Sequence, residues 1–292
     1  MGLWVEVSEF LRIIGDWFSE SSGWIIGVAS AAIGAIAGSW STQIAIERRE
    51  RLLSGRAELR AVNRAILVCF SVVNAYVALK KQHLVKLVSD YEQCHREIKK
   101  AIELEAYPIE ISADLSSLPY PRAPANRLED LVFGEVAVGG RAMAAVSALV
   151  DAQNHLRAAL EVRDALAEEF RVSQFEGGEL AEVYLALPKG NGTVDGRYRD
   201  SISAISDYTD DCIFFAMVAA HDLRAYGELL IRRHKGKIGS ARKHLNEISW
   251  SASADAALLP KASEYEGWTK GFLEERKWWH LWRARRPEPL PF

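Results

Sequence analysis

The chain opens on an amphipathic pattern. Leu3, Trp4, Val7, Phe10, Leu11, Ile14, Trp17 and Phe18 recur at three- and four-residue steps, with Glu6, Glu9 and Asp16 off the stripe. That period is a helix with one apolar face, and its two tryptophans suit a helix lying flat in the outer membrane interface. Ser21-Ser22-Gly23 breaks the pattern, so residues 1–23 are expected as an interfacial helix.

From Trp24 to Ile46 the chain carries no formal charge. About 23 residues at 1.5 Å each cross a ~30 Å hydrocarbon layer, and a transmembrane helix over 24–46 is expected. Ser39, Ser41, Thr42 and Gln43 dilute its last third. A buried Ala/Gly-rich core helix is one rival. A cleaved signal peptide is another, through Ala35-Ile36-Ala37, but Glu6, Glu9, Asp16 and Glu20 against Arg12 alone are the reverse of a basic leader.

Arginines set the expected orientation. Arg48, Arg49 and Arg51 follow the run directly, with Arg56, Arg60 and Arg64 beyond, which puts the N-terminus outside and the main domain cytoplasmic in a bacterial-type inner (plasma) membrane. Trp24 and Trp40 then stand about 24 Å apart, near the two hydrocarbon edges. Gly27, Ala31, Gly34 and Gly38 share one helical face, a spacing that permits close helix–helix approach and points to a homo-oligomer.

After Glu47 the pattern is helical with a seven-residue period. Leu52, Leu59, Ile66, Val73, Leu87 and Cys94 make one stripe, and Phe70, Val77, Leu84, Tyr91 and Ile98 a second. The seam is coiled-coil-like, but Lys80 falls in an inward slot and Gly55 weakens the first turns, so a multi-helix bundle fits better. One helix is expected over 47–106, ended by Tyr107-Pro108, a second over 126–172 and a third over 197–234. The apolar stretch Ala65 to Leu79 reaches only about 22 Å, and a helix buried on all sides explains it better than a second crossing. Val183 to Leu187 fits a short strand without a sheet to join. Short helices near 240–248 and 261–285 complete the 235–292 tail. The fold class is therefore all-α, a single-pass helix followed by a cytoplasmic bundle.

Composition bounds the function. With 292 residues, 49% apolar and 26% charged, the chain folds, and a net charge of −3 supplies no field for nucleic acid. Cys69, Cys94 and Cys212 sit far apart in helical apolar settings, as reduced packing residues do. All nine tryptophans lie near the two ends. Those at the C-terminus, Trp278, Trp279 and Trp282, neighbour Arg283, Arg285 and Arg286, which suits a second contact with anionic lipid. There Trp268, Phe272, Trp279 and Trp282 fall on one helical face. The alternative is that these tryptophans cap the bundle core.

Catalytic chemistry is not evident. His221-Asp222 lacks the further ligands a metal hydrolase needs, and Gly190-Asn-Gly192 lacks the lysine of a phosphate loop. Arg276 precedes His280 with too short a gap for the Arg-x(4–6)-His pattern of helical ribonucleases. No catalytic, cofactor or metal residue is assigned. The expected role is a scaffold, regulator or sensor that binds a protein partner at the membrane; the alternative is an effector that assembles through its glycine-faced span and permeabilises the bilayer. An enzyme would show itself through a polar pocket with converging histidine or carboxylate groups.

Overall fold

The computed structural model describes residues 23–105, 111, 113–173, 175, 178–250 and 255–272. Residues 1–22 of the expected interfacial helix, with Trp17, lie outside the described residues, as does the tail bearing Trp278, Trp279, Trp282, Arg283, Arg285 and Arg286; so do the side chains of Trp24, Gly27 and Ala31. The described chain is all-helical. It divides into two units, Met1–Gly55 and Arg56–Phe292.

Helix α1, Gly23–Leu79, is 57 residues long. In the first unit, residues 34–51 of this helix are exposed throughout. Its hydroxyls are satisfied by the helix itself: Ser39 Oγ donates to the Ile36 carbonyl at 2.9 Å, Ser41 Oγ to that of Gly38 at 2.9 Å and Thr42 Oγ1 to that of Gly38 at 2.8 Å. Such back-bonding removes most of the cost of placing a hydroxyl in an apolar medium. Among the described residues one helix is long and apolar enough to cross a membrane, although a buried core helix or a signal sequence meets the same test.

In the second unit α1 becomes a core helix. Ala65, Ile66, Cys69, Val72, Val73, Tyr76, Val77 and Leu79 are buried there. A single π-helical turn, Lys80–Leu84, then leads into α2, Val85–Glu103. A π turn takes in an extra residue and so rotates the helix beyond it. Lys80, which the heptad pattern places inward, is indeed mostly buried, and its Nζ donates to Asp210 Oδ1 at 2.5 Å.

The segment expected as one helix over 126–172 is two, α3 (Ala125–Glu135) and α4 (Arg141–Val172). Gly140 causes the break, at φ 63° and ψ −127°, a conformation that costs side-chain-bearing residues strain. Val183–Leu187 is not a strand: α5 (Glu179–Tyr184) ends there, because nothing beside it offers a sheet edge. Pro188 and Val194 close a tight antiparallel turn, with Gly192 at φ 79° and Asn191 Oδ1 accepting from the Thr193 N–H, so the glycine pair serves a turn.

Helix α6, Arg197–Arg233, is the centre of the second unit. Every side chain from Cys212 to Ala220 is buried. Contacts set the directions of its neighbours. Arg141 meets Asp222, His155 stacks on Tyr208 and Glu169 meets Arg197, so α4 runs antiparallel to α6. Glu58 meets Tyr226, Lys80 meets Asp210 and Tyr91 meets Tyr198, so α1 and α2 run antiparallel to it as well. The buried face of α1 is broader than a two-stranded seam, as a bundle requires.

The C-terminal piece caps this centre. After α7 (Ala241–His244) and two short 3₁₀ turns comes α8, Glu266–Lys270. Tyr265 stacks on Phe214 with centroids 3.7 Å apart, its hydroxyl donates to Asp211, and Trp268 packs on Phe215 at 5.1 Å and Phe272 at 4.7 Å. Trp268 and Phe272, expected on a lipid-facing helix, are thus tied to the core, because the apolar middle of α6 at Phe214 and Phe215 offers Trp268 more contact than water does.

At the opposite end, Arg163 on α4 has no solvent exposure. Its Nη1 donates to the Ser116 carbonyl at 2.8 Å, its Nη2 to that of Asp114 at 3.1 Å, and its guanidinium lies 5.7 Å from the Tyr198 ring. It clasps the proline-rich loop. Replacing it by Met strips two carbonyls of a charged donor, so R163M is expected to lower unfolding stability in urea by about 2–4 kcal/mol. R96M, at an exposed helical pair, is expected to stay within about 0.5 kcal/mol.

Candidate functional site

Directly after its apolar run, α6 turns polar at His221 and Asp222. The Gly140 break starts α4 beside this point, and Arg141, its first residue, reaches across. Its Nε donates to Asp222 Oδ2 at 2.8 Å and its Nη2 to Oδ1 at 2.6 Å, a bidentate pair with side-chain exposures of 10% and 14%. His221 Nδ1 is 3.2 Å from Asp222 Oδ1. Burial pushes the Asp222 carboxyl up, but hydrogen bonds from Arg141 and His221 outweigh it and hold it below the usual carboxylate range.

A strap folds over the same face. Leu245 packs where α6 carries Gly227, since a Cβ there would lie 2.7 Å from Leu245 Cδ2 and 3.2 Å from Val62 Cγ1. The Asn246 N–H donates to Asn63 Oδ1 at 2.9 Å, and its carbonyl accepts from Arg224 Nη1 at 3.2 Å. Trp250 approaches Phe70 at 6.4 Å.

Between strap and helix lies a cleft of about 340 Å³. Ile66, Ala220, Ala225, Ile248 and Trp250 form its apolar walls; His221, Arg224, Glu228, Asn246 and Glu247 supply polar groups. Asn246 Nδ2 is buried without a hydrogen-bond partner among the described residues. Arg224 faces Glu228 and Glu247 at 3.6 Å each. None of the lining residues carries a hydroxyl or a thiol. Cys69 and Cys212 lie in the core, where burial pushes both thiols up, Cys212 to about 12, so neither is an activated nucleophile. Among the described residues, no group of His, Cys, Asp and Glu is placed to hold a metal ion.

Comparison with protein-family models, with curated proteins and with solved structures finds no match.

Trp40 is 58% exposed, Arg48, Arg49 and Arg51 are exposed, and the space beside Gly34 and Gly38 is open. His221-Asp222 was legible as a pair. Its partner Arg141 and the strap residues Asn246 and Trp250 were not, although Gly139-Gly140 marks where a helix carrying Arg141 begins.

D222N removes the carboxylate from Arg141 and His221 and is expected to cost about 2–4 kcal/mol in urea denaturation, between the values for exposed and fully buried pairs. The pH dependence has a fixed sign. The folded pKa of Asp222 is depressed, so its contribution is present above its unfolded value near pH 3.9 and disappears as pH falls through the folded value. D222N is therefore expected to flatten the acid limb of the stability profile.

Proposed function

We propose that the protein is a membrane-anchored helical scaffold, regulator or sensor acting by binding at the cytoplasmic face. The observation that carries this reading is the contrast within α1. Ile36, Trp40, Ile44 and Ile46 are exposed, while most apolar residues from Leu59 to Leu79, Leu67 excepted, are used in the core. A contiguous uncharged apolar surface with its hydroxyls already bonded calls for lipid. Arg48, Arg49 and Arg51 beyond it favour a cytoplasmic second unit at a bacterial-type inner membrane, with Trp24 and Trp40 at the two interfaces. The tail tryptophans and arginines from Trp278 to Arg286 add a further lipid contact in this reading. The cleft does bring His221 together with Glu228 and Glu247, the arrangement by which an enzyme would show itself, but its lining has no hydroxyl or thiol nucleophile, and binding is kept as the proposal. A protein partner remains part of the proposal, and nucleic acid does not.

Open space at Gly34 and Gly38 supports self-association through that face and a second reading, a membrane effector whose spans assemble into a lesion. Two measurements separate the readings. The full chain is expected to resist carbonate extraction from membranes, and a reporter fused after Phe292 to be active only in the cytoplasm; release by carbonate would overturn the anchor, and periplasmic activity would overturn the topology and favour two crossings. Growth arrest with dye leakage on expression, abolished by G34L with G38L, would replace the scaffold by the effector. Harmless expression, with weaker self-association of the double variant in a membrane two-hybrid assay, is the outcome expected of the scaffold.

A further inference from the structure

We infer that the basic loop at the C-terminal end of α6, Arg232 to Lys243, is a docking surface for the anionic headgroups of a bilayer. The inference rests on the reading of residues 24–46 as a membrane anchor, and it adds a lipid class and the surface of the second unit that meets it.

Sequence and fold both set this loop apart. Between Glu228 and Glu247 the chain carries Arg232, Arg233, Lys235, Lys237, Arg242 and Lys243 and no acidic residue. Part of that charge serves the helix. Arg232 and Arg233 end α6, where cations suit the negative end of the helix dipole, and Arg232 faces Glu228 at 3.9 Å. Lys235, Lys237 and Lys243 lie beyond the helix, exposed and without an ion pair among the described residues. The loop is a built turn. Lys235 at φ 51° and Gly236 at φ 73° reverse the chain, and the Gly236 N–H donates to the Ile231 carbonyl at 3.0 Å. Ile238 and Leu245 are buried and pin the loop to the core, which leaves the lysines outside.

Its place in the second unit suits its charge. Arg56 Nη2 donates to the Lys237 carbonyl at 3.3 Å, and a Cβ at Gly239 would lie 3.2 Å from Leu59 Cδ2. The loop therefore flanks the first turns of α1 within this unit, where the chain arrives from the uncharged run. Only residues 47–55 separate that run from Arg56, and Arg48, Arg49 and Arg51 are among them. Clusters of about four to eight Lys and Arg close to the cytoplasmic end of a span recognise anionic lipid. Nucleic acid is the other polyanion to weigh. A chain of net charge −3 has no long-range field to draw one from solution, whereas a short tether delivers the loop to a membrane at high effective concentration.

Full-length protein would be reconstituted into nanodiscs of phosphatidylcholine alone or with about one third phosphatidylglycerol, and amide exchange followed by mass spectrometry. Exchange over 232–244 is expected to slow about fivefold or more in the anionic discs and to recover in about 1 M salt. Residues 86–100 of α2, near the opposite end of α6 where Tyr91 meets Tyr198, are expected not to change. K235Q, K237Q and K243Q together are expected to remove most of the slowing while the protein stays in the discs. Protein that remains in both kinds of disc with an unchanged loop would overturn the docking surface and leave the anchor standing. Protein that never enters neutral discs would overturn the anchor, and the docking surface with it. Equal slowing in neutral discs, or slowing as large when a short RNA is added to neutral discs, would also overturn it, the latter in favour of nucleic acid. The comparison of lipids on the unaltered protein decides the matter even if the variant fails to fold.

Discussion

The second unit is organised by one requirement, that the side chains from Cys212 to Ala220 be kept from water on every side of α6. A helix with a single apolar stripe needs one neighbour, whereas a helix apolar all round needs a ring of them. Each large side chain here gains roughly 1.5–3 kcal/mol from burial. The ring is supplied by α1 with α2 on one flank, α4 on another and the Tyr265–Phe272 piece over Phe214 and Phe215. Each flanking long helix runs antiparallel to α6.

Polar contacts then set how far each helix slides along its neighbour. Arg141–Asp222 and Glu169–Arg197 mark the two ends of the α4–α6 pairing, and Lys80–Asp210 marks the middle of the α1–α6 pairing. Displacing Arg141–Asp222 or Lys80–Asp210 by a turn would leave a partly buried charge alone, a penalty that apolar packing by itself does not impose; Glu169–Arg197 is exposed and adds little. The π turn at Lys80–Leu84 belongs to the same arrangement. It turns Lys80 toward Asp210 and brings Leu84, Leu87, Tyr91 and Ile98 back onto the buried face. The helix keeps its apolar stripe and admits one lysine.

The cleft is a by-product of where this order ends. Beyond Ala220 the surface of α6 carries His221, Arg224 and Glu228, and Gly227 leaves room for Leu245 to seat the strap. The strap touches α6 through Arg224 and Leu245 and α1 through Asn63, and leaves a gap beside them. His221 is held rigidly at its edge because Arg141 and Asp222 fix it from behind.

Local pattern determined much of the architecture: the uncharged run at 24–46, the apolar stripe from Leu59 to Leu79, an all-helical chain and the third long helix near Arg197. These features arise from period and charge, which act within a few residues. Lys80 was legible as an anomaly, and only packing revealed Asp210 as its partner. Tertiary structure alone decided that Trp268 and Phe272 cap a core, that the expected 126–172 helix splits at Gly140, and that Arg141 and Asn246 share the surroundings of His221. The reason is separation along the chain. Arg141 and Asp222 are 81 residues apart, and what joins them is the burial of α6, which no window of local sequence contains.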